Sequence, residues 1–283
     1  MDSFKIQYAS DLHLDDESPP FEMIMDPVAP NLALCGDIGN PFSKIYYNFL
    51  KWCKTHWTGV FLIAGNHEYF TKDVTTTMDN TERRIQEICS ELGIIFLQKG
   101  VYRDDTHKLL IVGCTLWSSP DIRKWDRITD GFIGDPGTRG DYKLINKYDE
   151  YTNKSRKLHP SDIIEINRDH VAFLEKVLRR AKLDEFRVLV LTHHLPSSIL
   201  VDPKHKGNPL SSCYANNLDY LLKEPVVAWI CGHSHTGVSV RNNAGTLCTM
   251  NPHGYKSEVL TSGYTRTALM TIYRENIAIV KRV

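Results

Sequence analysis

Features of membrane and secreted proteins are absent from this sequence of 283 residues. No run of about 18 apolar residues occurs, which excludes a membrane-spanning helix. Residues 1–10 lack the basic segment and apolar run of a signal peptide. The seven cysteines are odd in number and include no CxxC pair, a pattern typical of buried thiols in a reducing compartment. We therefore expect a cytosolic protein that does not associate with a membrane.

An excess of charge is also missing, because 34 Lys and Arg residues balance 34 Asp and Glu residues. The overall field therefore offers no long-range attraction to nucleic acid, and a polyanion would have to be bound locally. No linker, low-complexity tract or repeat marks a domain boundary. We expect one domain over residues 1–283, with a polar insertion or lid at about 118–160, where the periodicity is weak.

The regular patterns that are present predict an α/β protein with strands first alternating with helices and then forming hairpins. Predicted buried strands are Phe4–Tyr8, Leu32–Cys35, Val60–Ala64, Leu109–Cys114, Val188–Thr192 and Val226–Cys231. Predicted helices are Phe42–Thr55, Thr81–Leu92, Ser161–Lys182 (with Ser161 as its cap) and about Cys213–Lys223. Predicted hairpins pair Val238–Val240 with Thr246–Met250 and Ala268–Tyr273 with Ile277–Val283.

Metal-competent side chains follow five of these strands. They are Asp11 and His13, then Asp37, then Asn66 with His67, then His193 with His194, and finally His233 with His235. Ligands of open α/β sheets collect beyond the carboxyl ends of the strands, so these segments can converge on one site. Gly36, Gly65 and Gly232 fit sharp exits from the strands.

The ligand types indicate a particular kind of centre. Imidazole nitrogens with carboxylate and amide oxygens, without thiolate, suit Mn²⁺, Fe²⁺ or Zn²⁺ better than a closed structural zinc site. Seven of these residues are candidate ligands, which is too many for one tetrahedral ion: Asp11, His13, Asp37, Asn66, His193, His233 and His235. Two divalent ions that share a carboxylate would use them all and leave room for a phosphate group.

The ordered motifs DxH, GD, GNH[DE], a lone His after a strand, and GHxH span Asp11 to His235. In this respect the sequence resembles the calcineurin-like metallophosphoesterase superfamily, in particular its small single-domain bacterial-type members. Each motif alone is weak, but the ordered set is specific. The resemblance implies a four-layer αββα sandwich of two mixed β-sheets flanked by helices, with the metals where the strands end.

The resemblance also implies a role for each matching residue. Asp11, His13 and His235 would bind the first metal, Asn66, His193 and His233 the second, and Asp37 would bridge the two. In the family, a hydroxide between the metals attacks phosphorus in line, and His67 would stabilise or protonate the leaving oxygen. The catalytic set is thus His67, Asp37 and Asn66.

The expected activity is hydrolysis of a phosphomonoester or phosphodiester, with a small molecule or nucleotide as the substrate and no obligate protein partner. A metal-dependent nuclease or a nucleotide pyrophosphatase is an alternative, although no basic, aromatic-interleaved stretch favours nucleic acid. A non-catalytic scaffold with this fold is less favoured, because such relatives typically lack some of the metal ligands or the His of GNH[DE], and this chain has all of them. Protein Ser/Thr phosphatase activity is less favoured, because those enzymes carry GDxVDRG where this chain has GDIGNP at Gly36–Pro41, which lacks the Asp-Arg-Gly part.

The sequence does not decide the roles of several neighbouring residues. His194 can act behind the ligands or as a packed histidine. His253 and Tyr255 lie in the segment NPHGY, where small members of the superfamily often have arginine at the position of His253. Glu68 is interpreted as an acid at a helix start, favoured there by the helix dipole, and is not included in the site.

Overall fold

The fold is described from a computed structural model that covers residues 3–121, 123, 140–202, 211–274 and 278–281. Short apolar runs form most of the strands. Along the chain they are β1 (Ser3–Ala9), β2 (Asn31–Cys35), β3 (Gly59–Ile63), β4 (Ile95–Phe96), β5 (Gly100–Asp104), β6 (Leu109–Cys114), β7 (Asn146–Asp149), β8 (Lys154–Lys157), β9 (Arg187–Thr192), β10 (Val226–Cys231), β11 (Val238–Arg241), β12 (Leu247–Met250), β13 (Leu269–Tyr273) and β14 (Ala278–Lys281).

Two six-stranded mixed sheets contain all of these strands except β7 and β8, which pair with each other. The order in the first sheet is β14-β13-β1-β2-β3-β4, and in the second it is β11-β12-β10-β9-β6-β5. Strands β1, β2 and β3 are parallel, as are β6, β9, β10 and β12. The carboxyl ends of these parallel strands therefore share an edge within each sheet.

The helices are α1 (Phe21–Ile24), α2 (Lys44–His56), α3 (Met78–Leu92), α4 (Gly140–Leu144), α5 (Pro160–Leu183) and α6 (Ser211–Tyr214). Single 3₁₀ turns cover His67–Tyr69, Ser198–Leu200 and Asp219–Leu221. In the part of the chain that the structure describes, no helix has the length and apolar character that crossing a membrane requires.

Alternating side chains of each strand build the layers. Between the sheets, residues such as Ile6 and Phe61 pack with Leu189 and Ile230 from the opposite sheet. The other face of the first sheet is covered by α2 and α3, and the other face of the second sheet by α5. The expected four-layer αββα fold of two mixed sheets is thus confirmed.

The six buried strands and the two hairpins predicted from the sequence are present, although Ile277 and residues 282–283 lie outside the described residues. Helix α3 begins earlier than expected because Thr77 and Asn80 form a capping box. His159, and not Ser161, caps α5, and Asp162 accepts a hydrogen bond from the backbone N–H of His159.

The predicted helix from about Cys213 to Lys223 is wrong. The chain forms only the short α6 and the 3₁₀ turn there, since Ala215 makes an isolated parallel bridge with Leu195. The Asn216 side chain donates to the carbonyl oxygens of Leu116 and Leu195, which draws the backbone out of helical geometry. Tertiary hydrogen bonds here override a local helical pattern.

Within the polar segment at 118–160, the described residues from 140 onward form regular structure. Helix α4 and the hairpin of β7 and β8 fill residues 140–157, and Ile145 is fully buried in the core beside α3. Residue 122 and residues 124–139 of the expected insertion lie outside the described residues.

Candidate metal centre

All seven candidate ligands lie on loops that directly follow parallel strands. Asp11 and His13 follow β1, Asp37 follows β2, Asn66 follows β3, His193 follows β9, and His233 and His235 follow β10. The loops also bind one another, because the N–H groups of Asp11 and His13 donate to the carbonyl oxygens of Gly36 and Asp37, both at 2.9 Å. The fold therefore gathers the ligands at one edge of the two sheets.

The backbone at this edge adopts strained conformations. Asp11, His13, Asp37, His233 and His235 have φ values of 54°, 46°, 54°, 72° and 48°, all in the left-handed region. Such conformations are costly for residues other than glycine and persist where surrounding contacts hold them, often at functional sites. All five residues belong to the set of candidate ligands at this edge.

Glycines allow the loops to approach closely. Gly36 has φ +86°, and a Cβ there would lie 2.5 Å from Nδ1 of His193. At Gly232 a Cβ would lie 2.6 Å from Oδ2 of Asp11. A side chain at either position would push a ligand away.

Two groups of ligand atoms share Asp37. In the first, which we call the Asp11 group, the ligand atoms of Asp11, His13, Asp37 and His235 lie within 4.8 Å of one another. In the second, the His193 group, the same limit holds for Asp37, His193 and His233. The Asn66 oxygen Oδ1 joins the second group, at 3.0 Å from Nε2 of His193.

The outer nitrogens of two histidines are fixed by groups that only accept hydrogen bonds. Nδ1 of His193 donates to the carbonyl oxygen of Cys35 at 2.9 Å, and Nδ1 of His235 donates to the Glu258 carboxylate at 2.6 Å. In the neutral rings Nε2 therefore carries a lone pair directed at the centre. Metal-binding histidines are commonly held in this way.

The electrostatics of the centre favour a positive charge. Burial opposes a charged His193, but Asp37 and Asp11 raise its pKa to about 10. Burial would raise the pKa of Asp11, yet His235 and His193 lower it to about 2. The pKa values of His13 and His233 fall to about 3, mainly through burial, so these rings keep free lone pairs.

These observations fit divalent metal ions. Around His193, the oxygen atoms of Asn66 and Asp37 lie 3.0 and 3.4 Å from Nε2, so three atoms with lone pairs converge. Such an arrangement needs a proton or a cation between them, and the buried carboxylates favour the larger charge of a cation. Nitrogen and oxygen ligands suit Mn²⁺, Fe²⁺ or Zn²⁺.

His67 lies at the opening of the centre. Its side chain is 21% exposed, against 1% for Asp37 and 0% for His193. Its backbone N–H donates to Oδ1 of Asp37 at 2.8 Å, and its Nε2 lies 3.3 Å from the Tyr255 hydroxyl. Burial lowers the pKa of His67. The ring is thus placed where a substrate would approach.

Glu68 has a role that differs from its interpretation as a helix-start acid. Its buried carboxylate accepts backbone N–H bonds from Gly65 at 2.7 Å, Asp37 at 2.9 Å and Ile38 at 2.6 Å. It therefore ties the loop after β2 to the loop after β3. The sequence shows an acid in GNHE but not the partners that it binds.

Two further residues lie against the centre, in positions that the sequence alone does not indicate. Asp141 accepts a hydrogen bond from Nδ2 of Asn66 at 2.9 Å, and burial raises its pKa to about 7. The His194 ring stacks on His233, with centroids 4.0 Å apart, and its Nδ1 accepts from the Ser118 N–H. His194 is therefore packed behind a ligand.

Known proteins resemble this chain in sequence and in fold. Residues 4–237 match the calcineurin-like phosphoesterase family. An uncharacterized protein, L509, of Acanthamoeba polyphaga mimivirus is 28% identical, over 89% of this chain and 92% of that protein. The crystal structure of phosphopantetheinyl hydrolase from Mycobacterium tuberculosis superposes with a TM-score of 0.66 at 16% identity, covering 90% of this chain and 91% of that one. At 16% identity, the likeness to the phosphopantetheinyl hydrolase shows a shared fold only.

Proposed function

The chain belongs to the calcineurin-like phosphoesterase family, and from that premise we propose that it hydrolyses phosphate esters at a centre of two divalent metal ions. The observation that carries the proposal is the position of Asp37, which belongs to both the Asp11 group and the His193 group. A single carboxylate shared by two ligand sets is the arrangement that a two-metal site requires.

Each group would hold one ion. Asp11, His13 and His235 would bind the first metal, Asn66, His193 and His233 the second, with Asp37 between them. Two bound ions would neutralise the charge of a phosphate group and lower the pKa of the attacking water. Mn²⁺, Fe²⁺ and Zn²⁺ all suit these ligands.

The residues of the chain supply the rest of the chemistry. His67 would donate a hydrogen bond or a proton to the leaving oxygen, since its ring lies at the opening and its Nε2 lies 3.9 Å from Oδ2 of Asp37, the carboxylate shared by both groups. The Tyr255 hydroxyl, 3.3 Å from that nitrogen, would orient the ring. His67, Asp37 and Asn66 therefore form the proposed catalytic set.

The proposed substrate is a phosphomonoester or phosphodiester of a small molecule or nucleotide. The balanced charge of 34 basic and 34 acidic residues gives nucleic acid no general attraction. A nuclease or nucleotide pyrophosphatase would use the same centre, so a substrate panel separates these activities. The seven free cysteines support a reducing compartment, and a cytosolic location stays a prediction.

Kinetics with a matched control test the proposal. Purified protein with Mn²⁺ would be assayed on p-nitrophenyl phosphate, bis-p-nitrophenyl phosphate, a nucleotide panel and single- and double-stranded nucleic acid. We expect turnover of at least one ester, and a loss of roughly 10²- to 10⁴-fold in kcat for His67→Ala. His56→Ala, at an exposed histidine on α2, should retain full activity.

Metal content separates the possible outcomes of that experiment. His67→Ala should bind as much Mn²⁺ as the unmodified protein, because His67 is not among the proposed ligands. No turnover of any ester by the metal-loaded protein, or unchanged kcat in His67→Ala, would contradict the proposed function.

A further inference from the structure

The polar segment brings a carboxylate against one proposed ligand. Asp141, in the second residue of α4, accepts a hydrogen bond from Nδ2 of Asn66 at 2.9 Å across a sequence separation of 75 residues. The other end of the same amide, Oδ1, lies 3.0 Å from Nε2 of His193. Asn66 thus bridges Asp141 and the His193 group.

Several contacts fix α4 in this position. At its end, the carbonyl oxygen of Leu144 accepts the N–H of Thr71 at 3.0 Å, and Ile145 is fully buried. The Asn146 side chain donates to two carbonyl oxygens in the loop that follows His67, both at 3.0 Å. At its start, a Cβ on Gly140 would collide with the ring of Phe70. The segment therefore holds Asp141 against the loop that carries Asn66.

The chemistry of the two side chains determines how the amide is oriented. An asparagine amide has an accepting oxygen at one end and a donating NH₂ group at the other, and a carboxyl group keeps an accepting oxygen whether or not it is protonated. Asn66 presents its NH₂ group to Oδ1 of Asp141 and its oxygen to the His193 group. The opposite orientation would offer a metal ion the NH₂ group, which cannot bind it.

From this geometry we infer that Asp141 is a positioning residue that keeps the amide oxygen of Asn66 directed at the second metal ion. The inference rests on the proposed function, because it needs a metal in the His193 group. The polar segment would therefore contribute to the centre through Asp141, which helps to complete the second metal site although it does not follow a strand of either six-stranded sheet. Partners that orient ligands in this way typically change metal affinity by roughly 10- to 100-fold.

Manganese binding to the full-length protein tests the inference. Equilibrium dialysis with Mn²⁺ would be compared for the unmodified protein, Asp141→Ala, Asp141→Asn and Glu150→Ala. Glu150 is an exposed acid on the turn between β7 and β8, so its variant removes a charge from the same segment without touching Asn66. A thermal melt in EDTA checks that each variant folds.

The expected result has three parts. The unmodified protein and Glu150→Ala bind two ions, and Asp141→Ala binds one of the two roughly 10- to 100-fold more weakly. Asp141→Asn restores binding to within a few fold, because its own carbonyl oxygen can accept from Nδ2 of Asn66. If Asp141→Ala does not fold, Asp141→Leu takes its place, since leucine fills a similar volume and has no acceptor.

Two results would overturn the inference while leaving the proposed function intact. One is that the variant without an acceptor binds both ions as tightly as the unmodified protein. The other is that Asp141→Asn binds as weakly as that variant, because the hydrogen bond to the amide would then not be the cause. Binding of fewer than two ions by the unmodified protein would instead count against the proposed function.

Discussion

Replacing Asp162 with asparagine should loosen the attachment of the β7–β8 hairpin to α5. The Asp162 carboxylate accepts hydrogen bonds from Nη1 and Nη2 of Arg156 at 2.6 and 2.8 Å, and from Lys147 at 3.2 Å. It also accepts the N–H of His159 at 2.8 Å, which caps the helix. Asparagine keeps one oxygen for the cap but loses the charge that pairs with Arg156 and Lys147.

The pKa of Asp162 sets the size of the effect. Burial would raise this pKa, but Arg156, His159 and Lys147 lower it from 3.8 to about 2. That difference corresponds to roughly 2.4 kcal/mol. The side chains of Arg156 and Lys147 are 41% and 31% exposed, so solvent screens both pairs. We therefore expect a loss of about 1 kcal/mol in the free energy of unfolding at pH 7.

The sign of the pH dependence follows from the lowered pKa. The charged carboxylate stabilises the fold, so its contribution is complete above the unfolded pKa near 3.8 and is lost as the pH falls through about 2. Urea denaturation of Asp162→Asn, the unmodified protein and the control Glu150→Gln would be measured between pH 7 and pH 2.5. The reasoning is refuted if Asp162→Asn is as stable as the unmodified protein at pH 7, or if the difference does not shrink below about pH 4.

Three further changes have expected outcomes. Glu68→Ala leaves the buried N–H groups of Asp37 and Gly65, in the loops after β2 and β3, without their acceptor. The free energy of unfolding in urea should fall by about 2 kcal/mol or more. A loss below about 0.5 kcal/mol would contradict the role of Glu68 in joining the two loops. Glu258→Ala frees the ring of His235 and should weaken Mn²⁺ binding by roughly 10-fold or more in dialysis, and unchanged binding would contradict this. Leu189→Ala opens a cavity between the sheets and should destabilise the protein by about 3 kcal/mol in urea. Its kcat should stay unchanged, and a loss of activity in the folded variant would contradict a purely structural role.

The sequence predicted the parts of the molecule whose signals are local. Strands such as β2 and β9 are short β-branched or leucine-rich runs buried on both faces, so their pattern requires no knowledge of distant contacts. Parallel pairing then places whatever follows each strand at one edge. The positions of Asp37 and His193 could therefore be expected from the order of strands and side chains alone.

What could not be predicted depends on contacts between distant segments. The failed helix after Cys213 has a helical pattern, and hydrogen bonds from Asn216 to Leu116 and Leu195 override it. Asp141 and Glu258 lie in polar stretches with no motif, and only the fold brings them against Asn66 and His235. Their local sequence carries no trace of these partners.

The central claim is that two metal ions share Asp37, and anomalous X-ray diffraction from crystals grown with Mn²⁺ tests it most directly. Data collected above and below the manganese absorption edge locate each ion without assumptions about its ligands. We expect two anomalous peaks about 3.5 to 4 Å apart, one in the Asp11 group and one in the His193 group, with Asp37 between them. A single peak, or two peaks that do not both contact Asp37, would contradict the account.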